Sequence, residues 1–349
     1  MVNFRFHLVS LTGVFLALAV GIVLGASVVN SGAVDGLRGQ LGSVKQDVGR
    51  VDQQNELLRR DLATWGDFSK KAAPGILAGR LQGVPVLVAA VRGMDAEPVK
   101  DLRDDLEAAD ARLQGTVWLE SKMQLDRPED VRALSVVFDL RTQDAEVVRQ
   151  ALFTRLANEL VTAAATGPAT PAATPTTLPN GVEAVTTLPG VTTTTVAVAP
   201  RGGVLATLST LGFVTIDGPD GGNFDTDQPL PSATRFVVAS GDGADVADPV
   251  GAIALVKALA TASGTASSRV IAVEPGRPAQ GRDQEVRARF IGPLRAEGKE
   301  MDDRVSTVNN IEDFRGRVAT VLALVDLAVG RVGHYGAGTG ADRLVPESG

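Results

Sequence analysis

The chain has no cysteine, only two histidines and one tyrosine, and aromatic residues make up 4% of it. Without cysteine there can be no disulfide framework, no thiolate metal site and no cysteine nucleophile. Histidine scarcity limits general acid–base chemistry to His7 and His334. A Ser-His-Asp triad would have to use His334, and nothing in the sequence around it supports one. No GxGxxG follows a strand pattern, and there is no Walker A sequence, no GxSxG and no HExxH. Basic residues are outnumbered, with 34 Lys and Arg against 41 Asp and Glu and a formal net charge of −7. With no basic tract either, nucleic acid is excluded as an expected partner. The chain is expected not to be an enzyme.

Charge is also missing from one long stretch. Leu8 to Val34 carries no ionisable side chain. A helix needs roughly 20 apolar residues to cross a bilayer, so a transmembrane helix is expected over 8–30, after a short flank at 1–7. A cleaved signal sequence is the competing reading, since Gly25-Ala26-Ser27 resembles a cleavage site. The apolar run exceeds the 7–15 residues typical of a signal core, so an uncleaved anchor is expected. Gly13, Ala17, Gly21 and Gly25 fall every fourth residue, a small-residue stripe that lets two helices approach closely in lipid.

Next comes a heptad pattern. Val34, Leu41, Val48, Asn55 and Leu62 occupy a positions; Leu37, Val44, Val51, Leu58 and Trp65 occupy d. A seam sustained over four heptads reads as a coiled coil, expected over 31–72. Asn55 at a single a position is the device that selects two parallel strands in one register, so a parallel homodimer is expected. An amphipathic helix lying on a globular core is the plainer alternative. Gly36, Gly39, Gly42 and Gly49 weaken the first turns.

From residue 73 strand and helix patterns alternate. Val84–Val91, Gly115–Leu119, Arg235–Ala239, Arg269–Val273 and Val305–Val308 are short apolar runs of the kind buried on both faces, and Phe213–Ile216 reads as an edge strand. Helical periods fall at Glu97–Ala109, from Pro128, at Asp144–Ala165, at Val204–Leu211, from Asp248-Pro249 to about Ala262, and at Asp313–Val329. Asp248 is expected as N-cap with Pro249 at N1. The fold class is α/β: an open, mostly parallel sheet domain over 73–165 and 203–330, on a transmembrane helix and parallel coiled-coil stalk. Residues 166–202 are rich in Thr, Pro and Ala, with only Glu183 and Arg201 charged, and are expected to form a disordered insertion. A Gly-rich tail occupies 331–349.

Ligands of open α/β sheets bind beyond the carboxyl ends of the strands. Those ends carry Arg92, Asp95, Asp242, Asp245, Glu274 and Asn309. They are read either as a small-ligand or cation cleft, or as solvated loop residues and caps. His334-Tyr335-Gly336 is read either as a docking loop or as a helix end with its aromatic packed over the sheet edge.

The opening Val2-Asn3-Phe4-Arg5-Phe6-His7-Leu8-Val9-Ser10-Leu11 resembles the actinobacterial copper-transporter family. So do Val305-Ser306-Thr307-Val308-Asn309-Asn310, Gly316-Arg317-Val318-Ala319 and Gly333-His334-Tyr335-Gly336. The resemblance covers most of the chain apart from 166–202. It implies copper efflux or homeostasis and a place in the cell envelope, with an outer-membrane channel among the readings. Copper is a ligand by this resemblance only. The donor set does not reinforce it: Cu(I) prefers thiolate and thioether ligands, and Met1, Met94, Met123 and Met301 are not at ligand spacing. Candidate metal residues are limited to His7 and Met1, which a parallel dimer would bring together, and His334. The expected alternative is a non-catalytic envelope scaffold or interaction protein with no direct metal binding. An envelope partner protein would then be needed for transport. Positive charges near the span, Arg5 before it and Arg38, Lys45 and Arg50 after it, lean weakly against an outward C-terminus. Long domains translocate regardless of such charges. The Thr/Pro tract and the resemblance place the domain outside the cytoplasm.

Overall fold

The computed structural model describes residues 4–31, 33–166, 203–219, 222, 230–263, 269–276, 290–337 and 341–347. Met1 and the expected insertion, apart from Thr166, lie outside the described residues. The chain divides into two units, Met1–Phe68 and Ser69–Gly349.

The first unit is helical. Helix α1 spans Phe4–Ser31, and α2 spans Ala33–Leu77 and runs on into the second unit. Within α1, Arg5–Gly25 is long and apolar enough to cross a membrane, with mean hydropathy 2.4 and no part of it buried. The stretch begins three residues earlier than the charge-free run, because one arginine and one histidine do not outweigh the apolar residues around them. Along α2 the seam residues Leu41, Val44, Val48, Val51, Leu58 and Leu62 are exposed. Trp65 and Phe68 stack with ring centroids 5.3 Å apart.

The second unit is built on a seven-stranded sheet. Its elements are β1 (Pro85–Val91), α3 (Glu97–Ala108), β2 (Arg112–Leu119), α4 (Pro128–Val137), α5 (Ala145–Thr166), α6 (Gly203–Thr210), β3 (Val214–Asp217), β4 (Arg235–Ala239), α7 (Ala252–Ala262), β5 (Val270–Val273), α8 (Ile291–Ala296), α9 (Lys299–Asp302), β6 (Val305–Val308), α10 (Phe314–Leu327) and β7 (His334–Tyr335). Spatial order is β3-β2-β1-β4-β5-β6-β7. Every pairing is parallel except β2 with β3. The central five strands thus follow the 2-1-3-4-5 order of doubly wound sheets, whose switch point lies between β1 and β4.

All seven residues of β1 are buried, as a strand covered on both faces requires. Leu87, Ala89 and Val91 face one core with Val148, Leu152 and Leu156 of α5 and Val256 and Leu259 of α7. Val86, Val88 and Ala90 face the other with Leu102 and Leu106 of α3, Leu324 of α10, and Ala73 and Leu77 from the end of α2.

Two helix starts carry an aspartate cap. The Asp144 carboxylate accepts from the Glu146 and Val147 amides, opening α5, and Asp313 accepts from the Arg315 amide, opening α10. At the C-terminal ends of the same helices Arg235, at the start of β4, donates to the Leu324 carbonyl of α10, and Arg269, just before β5, to the Ala164 carbonyl of α5. Those cations sit where the helix dipoles are negative. One local expectation is corrected. Asp248-Pro249 forms a 3₁₀ turn, and α7 starts at Ala252 with Gly251 as its cap. The turn comes first because the chain must still come round from β4 onto the sheet face. His334-Tyr335 forms strand β7, paired with Thr307-Val308 of β6, and Tyr335 packs into the core at that edge of the sheet, as one of the two readings expected of the aromatic.

Candidate functional site

The expected cleft residues divide between two places. One is the switch point. The loops after β1 and β4 meet there, and the Asp245 amide donates to the Arg92 carbonyl at 2.7 Å. Gly93 has φ +90°, and a Cβ on it would overlap the Asp245 carboxylate and lie 2.5 Å from the Gly243 carbonyl. The crevice that nucleotides occupy in related strand orders is therefore filled by the two loops themselves. Asp242 is half-buried in the β4 loop, and Asp95 accepts from the Glu97 amide at 3.1 Å as a local turn.

The Arg92 side chain turns away from that crevice toward β2. Its guanidinium carbon lies 4.4 Å from the Trp118 ring centroid, and its Nη2 is 3.2 Å from Glu120 Oε1. Glu120 also accepts from the Thr215 hydroxyl at 2.6 Å, and the Trp118 indole N–H donates to Asp217 at 2.7 Å. Glu120, Trp118, Thr215 and Asp217 were not among the expected residues. Glu120 follows a strand directly, so the same end-of-strand rule could have found it. Thr215 and Asp217 could not be found that way, since they arrive through the antiparallel pairing of β3.

The second place is the end of β5, β6 and β7. Glu274 is buried, and its two carboxylate oxygens accept from the Phe290 and Ile291 amides at 3.3 and 3.0 Å, capping α8. The Asn309 amide donates to the Tyr335 carbonyl at 3.2 Å. A Cβ on Gly336, at φ +126°, would overlap Asn309 Oδ1 and lie 2.7 Å from Asn310 Oδ1. Gly316 packs as closely on the Asn310 carbonyl. Arg317, the next residue, is buried. Its Nε donates to Asp105 Oδ2 at 2.6 Å and its Nη1 to the Ile311 and Glu312 carbonyls at 3.3 Å. Burial raises the Asp105 pKa above the usual carboxylate value, and Arg317 partly opposes that. The three sequence signatures at 305–310, 316–319 and 333–336 thus form one contiguous structural joint.

His334 belongs to the same joint. Its Nδ1 is 2.9 Å from the Thr307 hydroxyl, and its Nε2 is 3.9 Å from Asp302 Oδ1. Burial lowers its pKa, Arg295 lowers it further, and Asp302, Asp342 and Asp303 act in the opposite direction. Met94 and Met123 are core side chains of opposite faces, and Met301 packs against the core that holds Met123. His7 is exposed near the start of α1. Gly13, Ala17, Gly21 and Gly25 lie on α1, and Cβ atoms on its three glycines would meet nothing within 4 Å. Asn55 is exposed on α2. Among the described residues no three His, Cys, Asp or Glu side chains are grouped to hold a metal ion.

A groove of about 740 Å³ runs between α5 and α7, with Gln150, Thr154 and Asn158 on one wall and Ala254 and Ala258 on the other. Its charges are spoken for: Lys257 pairs with Glu297 at 2.6 Å and Arg149 with Glu146. None of the expected residues line it.

A family model described as copper transport outer membrane protein, MctB, matches residues 1–346. The chain is also 26% identical, over 98% of both sequences, to the copper transporter MctB of Mycobacterium bovis and of Mycobacterium tuberculosis.

Proposed function

Because this chain belongs to the MctB family of copper transport outer membrane proteins, we propose that it is a membrane-anchored envelope protein serving copper efflux or homeostasis. It works as a parallel dimer, is non-catalytic, and does not ligate copper through its α/β domain. The observation that carries this reading is the apolar helix Arg5–Gly25 leading to a helix with an uncovered heptad seam. One helix anchors a chain but encloses no pore. The sheet in this structure has helices on both faces and does not close on itself, since β3 and β7 lie at its two ends, unlike the closed, lipid-facing barrel of outer-membrane channels. Transport therefore needs either a partner protein or the paired N-termini, where Met1 and His7 of two chains would meet.

The donor chemistry supports this division. Tight Cu(I) binding calls for converging thiolates, thioethers or imidazoles. In the α/β unit the methionines pack in the cores, and His334 is held by Thr307. A scaffold that never meets the metal is the second reading, and the same donor set favours it. The domain lies outside the cytoplasm.

Deleting the gene and following cellular copper tests the role. Copper should accumulate, and full-length protein should restore the normal level while a fragment from residue 69 should not. Unchanged copper on deletion would refute the copper role and leave the scaffold. Leu344→Cys, at an exposed site in a chain without cysteine, should label with a membrane-impermeant maleimide on intact cells. Labelling only after lysis would place the domain inside.

A further inference from the structure

We propose that the second copy is bound along the α2 seam that runs through Leu41 to Trp65, with the two α2 helices parallel and in register, and that pairing stops before Ser69. This rests on the dimer reading above and deepens it. Leu41, Val44, Val48, Val51, Leu58 and Leu62 are each at least 50% exposed in the single chain. A continuous apolar stripe of that length calls for a cover. Its 4-3 spacing and Asn55 identify the cover as another copy of the same helix. A lone Asn in an apolar layer finds its hydrogen-bonding partner in its own twin, and only a parallel, in-register copy places that twin opposite.

The far end of the seam is set by the chain itself. The next a position after Leu62 is Ser69, which is 2% exposed within the Ser69–Gly349 unit. Ala73 and Leu77, one and two turns on, lie in that unit's core. The a-position Ser69 is itself already covered, so the seam cannot continue through it. Pro74 lies inside α2 as well, and it has no N–H to donate to the carbonyl of residue 70. The stacked Trp65 and Phe68 close the seam just before this point. Ile76, the a position after Ser69, remains 45% exposed and would be accessible to a partner if pairing continued.

In this register Asp47, at g, faces the partner's Asp52, at e. This one flanking pair repels, and the apolar layers hold the two helices together.

The absence of cysteine lets single substitutions read the seam in full-length protein in detergent micelles. On oxidation Leu58→Cys, at d, should give mostly covalent dimer. Gln53→Cys, on the outer face, and Ile76→Cys should give roughly tenfold less. Comparable cross-linking at Leu58→Cys and Ile76→Cys overturns the end point while leaving the dimer intact. No cross-link at Leu58→Cys in a protein that sediments as a dimer overturns the parallel register. A monomer by sedimentation refutes the dimer reading itself and this seam with it. Asp52→Lys should tighten association by roughly fivefold at low salt, as two exposed repulsions become attractions. Adding Asp47→Lys should cancel the gain. A loosening by Asp52→Lys alone overturns the Asp47 pairing.

Discussion

Replacing Arg317 by Met probes the joint at the end of the sheet. Arg317 is 5% exposed and Asp105 7%, and they meet at 2.6 Å, with Asp101 at 3.5 Å from the same guanidinium. Removing the cation leaves a buried carboxylate without its charge partner, which costs about 3–5 kcal/mol. For a unit of this size that corresponds to a fall in Tm of about 6–15 °C. The pH dependence has a definite sign. The Asp105 pKa is already raised by burial. A carboxyl that holds its proton more tightly in the folded state makes the fold less stable as pH rises from the unfolded pKa through the folded one. Losing Arg317 raises the folded pKa further, so the variant should lose most at neutral pH and recover part of the loss in mild acid. Adding Asp105→Leu should restore much of the stability, because an apolar pair can replace a buried ion pair at little cost. The assay is urea unfolding of the full chain in micelles at pH 5 and 7.5, followed by the fluorescence of buried Trp118. Equal loss at both pH values, or no rescue by Asp105→Leu, would refute the buried-charge account.

Gly336→Ala should destabilise the fold by about 2 kcal/mol or more, through strain at φ +126° and overlap with Asn309, measured by the same unfolding assay. His334→Gln should remove an acid-sensitive component of stability. A histidine whose folded pKa lies below its unfolded value is held neutral, so the native protein loses stability as pH falls below about 6.5, and the substitution should flatten that limb. Asn55→Leu should raise the thermal stability of the dimer while broadening its oligomer distribution in sedimentation, since the polar layer trades stability for register. The α/β unit should not compete with a chelator for Cu(I), and His334→Ala should leave that titration unchanged; submicromolar affinity abolished by the substitution would place the metal site in the domain.

Legibility varied with the range of the interaction involved. The apolar helix and the heptad spacing of α2 are one-dimensional patterns, and they can be read wherever a helix forms. The buried strands of the sheet are short apolar runs, and each main one appears within a few residues of its expected place. Strand β7 could not be read. Two residues in a Gly-rich stretch show no period, and they form a strand because β6 offers an open edge. Arg92, Glu274 and Asn309, singled out by the end-of-strand rule, directly follow β1, β5 and β6, while Asp245 lies in the loop after β4. The rule could not tell that Gly93 and Gly243 bring two loops together and fill the crevice, or that Glu274 spends its oxygens on α8.

Composition and periodicity alone carry the absence of thiolate chemistry, the apolar N-terminal helix, the heptad spacing after it and the α/β body. These are properties of residues and of their neighbours three or four positions away. Tertiary structure alone decided the strand order, the antiparallel β3, the Arg317–Asp105 pair across 212 positions of sequence and the role of His334 as a packed joint. Such pairings depend on which surfaces the sheet brings together in space, and local spacing carries no record of that.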